Sequence, residues 1–317
     1  MKGISYIVDV INRIIIPDDH KNAVFWAPRI ITKNNKKYPG YSLYAYGGYV
    51  ISLYYDEDCD SYCGVVFSDE YWDYFETEKI GKTISNDFKE NINKSIEFLV
   101  SWGWFDAIFS AFKNRDFGER RRENLIANHN RIYGSKYEIF DMESNTKTEG
   151  FDSKADLLWF SMNNDTPTIS LVEYKCTDAA MRDKKYSLPG HFEKMVRYYN
   201  SDETKGNLIL LLNRKRLLYG EPSIDSANIQ TKIVFLFSHV NITRHPAFEN
   251  GISQGYIKKG IYEMYQDHKT VFDQYSRDVE FAFIEDENAD LEKLRVISAR
   301  DIDYTSKDTV WESIKQG

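Results

Sequence analysis

The sequence predicts an α/β protein with a mixed central β-sheet flanked by helices, and three observations carry that prediction. Residues 155–176 read as a β-hairpin: LLWFS is a compact apolar run, MNNDTP has turn chemistry, and TISLVEYKC is a β-branched run that becomes charged only at its end. Pro189-Gly190 then introduces a helical pattern from His191 to Tyr199. Two later apolar runs, Leu208–Leu212 and Ile233–Phe237 (the latter led by Lys232), suit strands buried on both faces. Strand, helix and strand in this order make a right-handed parallel crossover, which adds parallel strands to an antiparallel hairpin.

The remaining elements follow along the chain. Residues 24–68 are β-rich, with Tyr41-Ser-Leu-Tyr-Ala-Tyr46 and Tyr49-Val-Ile-Ser-Leu-Tyr-Tyr55 as strands and Asp56–Asp60 as the turn into Cys63–Phe67. Residues 85–112 carry Ile92, Ile96, Leu99, Val100, Trp104 and Ile108 at helical spacing. A second helix runs from a candidate N-cap at Asp116 to a stop at Gly134. Toward the C-terminus, Ile261, Met264, Tyr265, His268, Val271, Phe272 and Tyr275 mark one long amphipathic helix, followed by a short strand at Val279–Ile284 and an acidic tail. The expected division is 1–114, a β-rich then helical region; 115–245, the core; and 246–317, a helix, a strand and the tail. No internal repeat is present.

Composition bounds the function. The net charge of −8 argues against a nonspecific nucleic-acid coat. The charge is uneven, because residues 115–277 hold 24 basic against 22 acidic groups, and 182–216 hold nine Lys or Arg against four Asp or Glu. Three cysteines without Cys-x-x-Cys spacing fit a reducing, cytoplasmic setting without disulfides. The Ile14–Ile16 run is too short for a signal peptide or a span and is ended by Pro17, so no membrane is expected.

The hairpin also carries the chemistry. Side chains two apart on a strand share a face, so Ile169, Leu171, Glu173 and Lys175 point one way. A carboxylate and an ammonium leave the sheet together, and Asp156 opens the neighbouring strand. Two carboxylates in this setting suit a hard cation such as Mg²⁺, which keeps several waters and accepts phosphate oxygens. Acid-x-Lys triplets are common in this chain, as at Asp152/Lys154 and Asp267/Lys269. Only the copy at Glu173 ends an apolar strand whose hairpin partner begins with an acid. An ordinary solvated strand edge is the competing reading.

This arrangement, over about residues 115–240, resembles the PD-(D/E)XK nuclease superfamily, whose fold is called restriction-endonuclease-like. Ala155 stands where the motif's Pro would be. The resemblance implies that Asp156 and Glu173 bind the metal, Mg²⁺ with Mn²⁺ as an alternative, and that Lys175 positions or activates the attacking water. It also implies a helical Glu as a further metal ligand and catalytic residue, for which Glu123 is the candidate; pairing of Glu119 and Glu123 with Arg120–Arg122 in solvent is the alternative. The expected architecture is then a restriction-endonuclease-like core with β-rich N-terminal and helical C-terminal additions.

The expected activity is metal-dependent hydrolysis of nucleic-acid phosphodiesters, DNA ahead of RNA by analogy with the family. Lys184, Lys185, His191, Lys194, Arg197 and Tyr198 are the candidate nucleic-acid contacts, since phosphates need cations beside the cutting site. The Gln-x-x-x-Tyr spacing of some relatives is not met, and packing competes as a role for Tyr198. The flanking regions are assigned to target selection, homodimerisation or inhibition of the site. The alternative from another class is a non-catalytic protein that keeps the fold to bind nucleic acid or a partner. Gly251-Ile-Ser-Gln-Gly255 matches a hydrolase elbow as a string, but a loop-like stretch precedes Ser253 where the elbow needs a strand. His239 and His245 lack partners at zinc spacing.

Overall fold

The computed structural model describes residues 2–33, 36–56, 62–67, 109–110, 112–113, 119–130, 135–145, 154–163, 166–182, 187–225, 228–238, 252–284 and 290–317. They form two compact units, 1–128 with 213–222, and 129–212 with 223–317.

In the first unit, helix α1 (Lys2–Arg13) is followed by four antiparallel strands in sequential order: β1 (Val24–Lys33), β2 (Lys36–Ala45), β3 (Gly48–Asp56) and β4 (Tyr62–Phe67). Alternation along β2 and β3 buries Tyr41, Leu43, Ile51 and Leu53, and α1 adds Ile7, Val10 and Ile11 to the same core. A two-residue turn joins β2 to β3. Both of its residues have positive φ, Tyr46 at 53° and Gly47 at 91°, the conformation that matches the twist of a hairpin. The Tyr46 hydroxyl is tied to His20 Nδ1 at 2.7 Å. Helix α2 (Glu119–His129) lies in this unit except for its last residue. The predicted cap at Asp116, the stop at Gly134, the Asp56–Asp60 turn beyond Asp56 and most of the 85–112 helix lie outside the described residues.

The second unit is built on a six-stranded mixed sheet. Strands β5 (Glu138–Asn145), β6 (Lys154–Asn163) and β7 (Thr166–Lys175) form an antiparallel meander. The hairpin register pairs Leu157 with Val172 and Phe160 with Ile169. After β7 the chain passes through helices α3 (Asp178–Arg182), α4 (Leu188–Asn200) and α5 (Asp202–Leu218) before β8 (Gln230–Ser238). β8 lies parallel to β7 and pairs Leu171 with Ile233, so the parallel partner of β7 is not the Leu208–Leu212 run expected to complete the crossover. Helices α6 (Gln254–Asp267) and α7 (Lys269–Tyr275) lead to β9 (Val279–Ile284), parallel to β8. β10 (Arg295–Ser298) closes the sheet antiparallel to β9, and α8 (Lys307–Gln316) ends the chain. The fold is α/β. Among the described residues no helix is long and apolar enough to cross a membrane.

Three elements differ from expectation. Leu208–Leu212 is not a strand but the middle of α5, a helix of 17 residues. Its run holds only one β-branched residue, and Leu is a strong helix former. Asp202 and Glu203 in the first turn and Lys215 and Arg216 in the last complement the helix dipole. Leu208, Leu211 and Leu212 are buried at helical spacing while Leu210 stays exposed, so a period of 3.6 is hidden within an unbroken apolar string. The long C-terminal helix is two helices, broken at His268, whose φ of −125° and ψ of 26° leave the helical region. Finally, the region expected to be a helical addition with a short strand and acidic tail supplies β9 and β10 to the main sheet.

Candidate active site

Strand β7 is buried along its length from Thr168 to Lys175. Its Ile169 and Leu171 enter the core between sheet and helices, and the same alternation carries Glu173 and Lys175 to that face. β7 and β8 are parallel, so the pair of charges lies at the carboxyl end of a parallel strand, where open α/β sheets bind ligands.

The two charged side chains are almost wholly enclosed, Glu173 at 1% and Lys175 at 4% exposure. Lys175 Nζ donates to Glu173 Oε1 at 2.5 Å. A second group reaches the same oxygen: His191 Nδ1, from the first turns of α4, lies 2.7 Å from Glu173 Oε1. Among the described residues no donor meets Glu173 Oε2, although that atom is buried. Burial pushes the carboxyl of Glu173 up, but the charge of Lys175 and the hydrogen bonds from His191 and Lys175 together outweigh it and hold the pKa below its usual value. Glu173 is therefore ionised at neutral pH, and His191 must carry a hydrogen on Nδ1 to donate to it.

Helix α4 brings His191 there because its apolar face is strongly specified. Leu188, Phe192 and Met195 are buried at helical spacing, and Phe192 packs on Phe235 of β8 with ring centres 6.4 Å apart. His191 follows the neighbouring line of the helix and meets the charged end of β7. His191, a candidate nucleic-acid contact, meets Glu173 in the structure. Nothing in its spacing from residue 173 could have shown that, since the contact depends on how α4 packs.

Asp156, at the start of β6, is half-buried, and its Oδ2 accepts the backbone N–H of Tyr174 at 2.9 Å. The structure thus ties Asp156 to the residue between Glu173 and Lys175. Glu123 is buried on α2 in the first unit. No group of three His, Cys, Asp or Glu side chains able to hold a metal occurs among the described residues.

The candidate nucleic-acid contacts separate by environment. Lys194 and Arg197 are exposed on α4, and Arg197 is paired with Glu193 one turn earlier. Tyr198 is 2% exposed and belongs to the core, so it is a packing residue and cannot stack on a base. Lys184 and Lys185 lie outside the described residues. Of the basic run at the end of α5, Lys215 and Arg216 are buried in the first unit. Lys215 Nζ donates to the Trp26 carbonyl and sits 3.6 Å from the Phe25 ring centre, and Arg214 donates to the Arg29 carbonyl at 3.2 Å. These cations cap carbonyls of the edge strand β1 and are not a phosphate track.

Ser253 is the N-cap of α6, and its backbone N–H donates to Asp178 Oδ1 at 2.7 Å. A helix of 14 residues, about 20 Å long, separates it from His268, which packs against Phe192. This is not a nucleophile and its base. Cys176 is buried and is not part of a disulfide. No family model, no curated protein and no solved structure matches this chain.

Proposed function

We propose that this protein hydrolyses phosphodiester bonds of nucleic acid with the help of a divalent cation, and that it resembles the PD-(D/E)XK nucleases in doing so. The observation that carries this reading is the buried carboxylate of Glu173, with Oε1 held by Lys175 and His191 and Oε2 given no donor among the described residues. A buried carboxylate oxygen without a partner costs on the order of 1–3 kcal/mol or more, which a bound cation would remove. Mg²⁺ fits this setting, because it needs only one or two protein carboxylates and fills its shell with water and phosphate oxygen. Glu173 and Asp156 would hold it, with Mn²⁺ as a substitute. Such an ion supplies neutralisation of phosphate charge and acidifies water.

The chain's own groups do the rest. Glu173 stays ionised at neutral pH and offers Oε2. Lys175, enclosed beside it, donates a hydrogen bond to Glu173. Its ammonium would orient the attacking water or a phosphate oxygen. Lys194 on the exposed side of α4 offers a backbone contact to a strand. DNA is preferred to RNA on the family resemblance alone.

One observation favours a second reading, a non-catalytic protein that binds nucleic acid or a protein partner. Asp156 already accepts the Tyr174 N–H, and Lys175 already neutralises Glu173, so the same network can serve the fold alone. Cleavage separates the two. Supercoiled and single-stranded DNA should be cut in Mg²⁺ or Mn²⁺ and left intact in EDTA. Asp156→Ala and Glu173→Ala should abolish cutting, and Lys175→Ala should reduce turnover more than metal affinity. No cutting by the wild-type protein with any metal, together with no metal bound, decides for the second reading.

A further inference from the structure

We infer that His191 is a positioning residue for Glu173, fixing which carboxylate oxygen faces a divalent cation; this rests on the cation site proposed above. The two oxygens of a carboxylate are equivalent until something distinguishes them. Rotation about the last side-chain bond exchanges them, and that bond is broad and two-fold in its preference. Lys175 alone would not prevent the exchange, because its flexible stem and rotating ammonium can follow either oxygen. His191 can prevent it. Its ring comes from a different element, α4, whose neighbours Phe192 and Met195 are buried in the core. Its Nδ1 meets Oε1 at 2.7 Å while Lys175 meets the same atom at 2.5 Å. Two donors from two elements converge on Oε1, and the opposite oxygen, Oε2, is the buried atom for which the described residues offer no donor. A simple packing role for His191 would not require both donors to choose one oxygen.

The proposal separates the two ring nitrogens. Asparagine places its amide where Nδ1 stands, and glutamine reaches to the position of Nε2. The experiment is calorimetric titration of Mn²⁺ into the wild-type protein and into Glu173→Ala, His191→Asn, His191→Gln and His191→Ala, each titrated below the onset of its own cooperative melting transition. Outer partners of metal ligands typically control about 10- to 100-fold in affinity, so His191→Ala and His191→Gln should lose that much while His191→Asn stays close to wild type. The reverse pattern, rescue by Gln and loss with Asn, would make His191 a ligand through Nε2 and overturn the proposal. Wild-type affinity in all three His191 variants overturns it as well. A wild-type protein that binds no Mn²⁺, or a Glu173→Ala variant that binds it equally well, overturns the cation site itself. A long-range ¹⁵N–¹H spectrum of the wild-type protein, with His191 assigned by its loss in His191→Ala, gives a second test independent of the variants' folding. Protonation at Nδ1 supports the proposal, and protonation at Nε2 alone overturns it.

Discussion

At the scale of single residues, the charges at the end of β7 are both a candidate site and a hazard to stability. Breaking a buried ion pair by removing one partner typically costs about 3–5 kcal/mol, because the other charge stays enclosed. Glu173→Ala should therefore lower stability by about that amount in urea unfolding, whereas Glu173→Gln, which keeps an acceptor for Lys175, should cost less. The same carboxylate sets a pH dependence. Its folded pKa lies below the usual value of 4.5, since Lys175 and His191 outweigh the opposing effect of burial. The unfolded chain then binds the proton more tightly than the folded one, so this contribution is present above pH 4.5 and is lost as pH falls through the folded value. Acid unfolding curves should show a shallower loss of stability in Glu173→Gln than in the wild-type protein.

At the scale of elements, backbone conformation decides where substitutions hurt. The β2–β3 turn places Gly47 at φ 91°, and a Cβ there would lie 2.6 Å from the Arg120 backbone of α2. Strain and collision act together, and neither contact atom is a flexible side-chain end. Gly47→Ala should destabilise the first unit by more than the ~1 kcal/mol that separates these residues by conformational preference alone, measured by thermal unfolding. Helix α5 teaches a different lesson. Its five-residue apolar run has the composition of a buried strand only if Leu is counted as a strand former, and its end charges point to a helix instead. Periodicity is weak evidence inside an unbroken run, because every alignment fits it. Charge at the ends and β-branching are the stronger guides.

At the scale of the whole molecule, the sheet reaches further along the chain than the core expected from sequence. β9 pairs with β8 from Val279 to Ile284, and Phe281 and Phe283 stack on Phe235 and Phe237 at ring distances of 5.9 and 5.4 Å. A chain ending at residue 245 would leave β8 as an open edge with its aromatic face uncovered. Such a truncation should lose the cooperative unfolding transition and aggregate, as read by calorimetry and size-exclusion chromatography, even though it retains Asp156, Glu173 and Lys175. The positive run of 182–216 is likewise redistributed by folding. Lys215 and Arg216 are enclosed in the first unit, Arg197 is paired with Glu193, and Lys194 remains on the surface. Counts of charge along a sequence do not distinguish these fates, because exposure is settled by packing.

The amino-acid sequence by itself determined the α/β class, the hairpin of β6 and β7, the presence of a strand at β8, and the common face of Glu173 and Lys175. Each follows from local rules: turn chemistry, the two-residue period of a strand, and a short apolar run rich in β-branched and aromatic residues. Only the tertiary structure decided that His191 meets Glu173, that Asp156 receives the Tyr174 N–H, that Tyr198 is a core residue, and that Leu208–Leu212 is helical. Those outcomes depend on contacts between residues distant along the chain or on which side of a helix finds a partner. A period in the sequence places a side chain on a face, and packing alone chooses what that face meets.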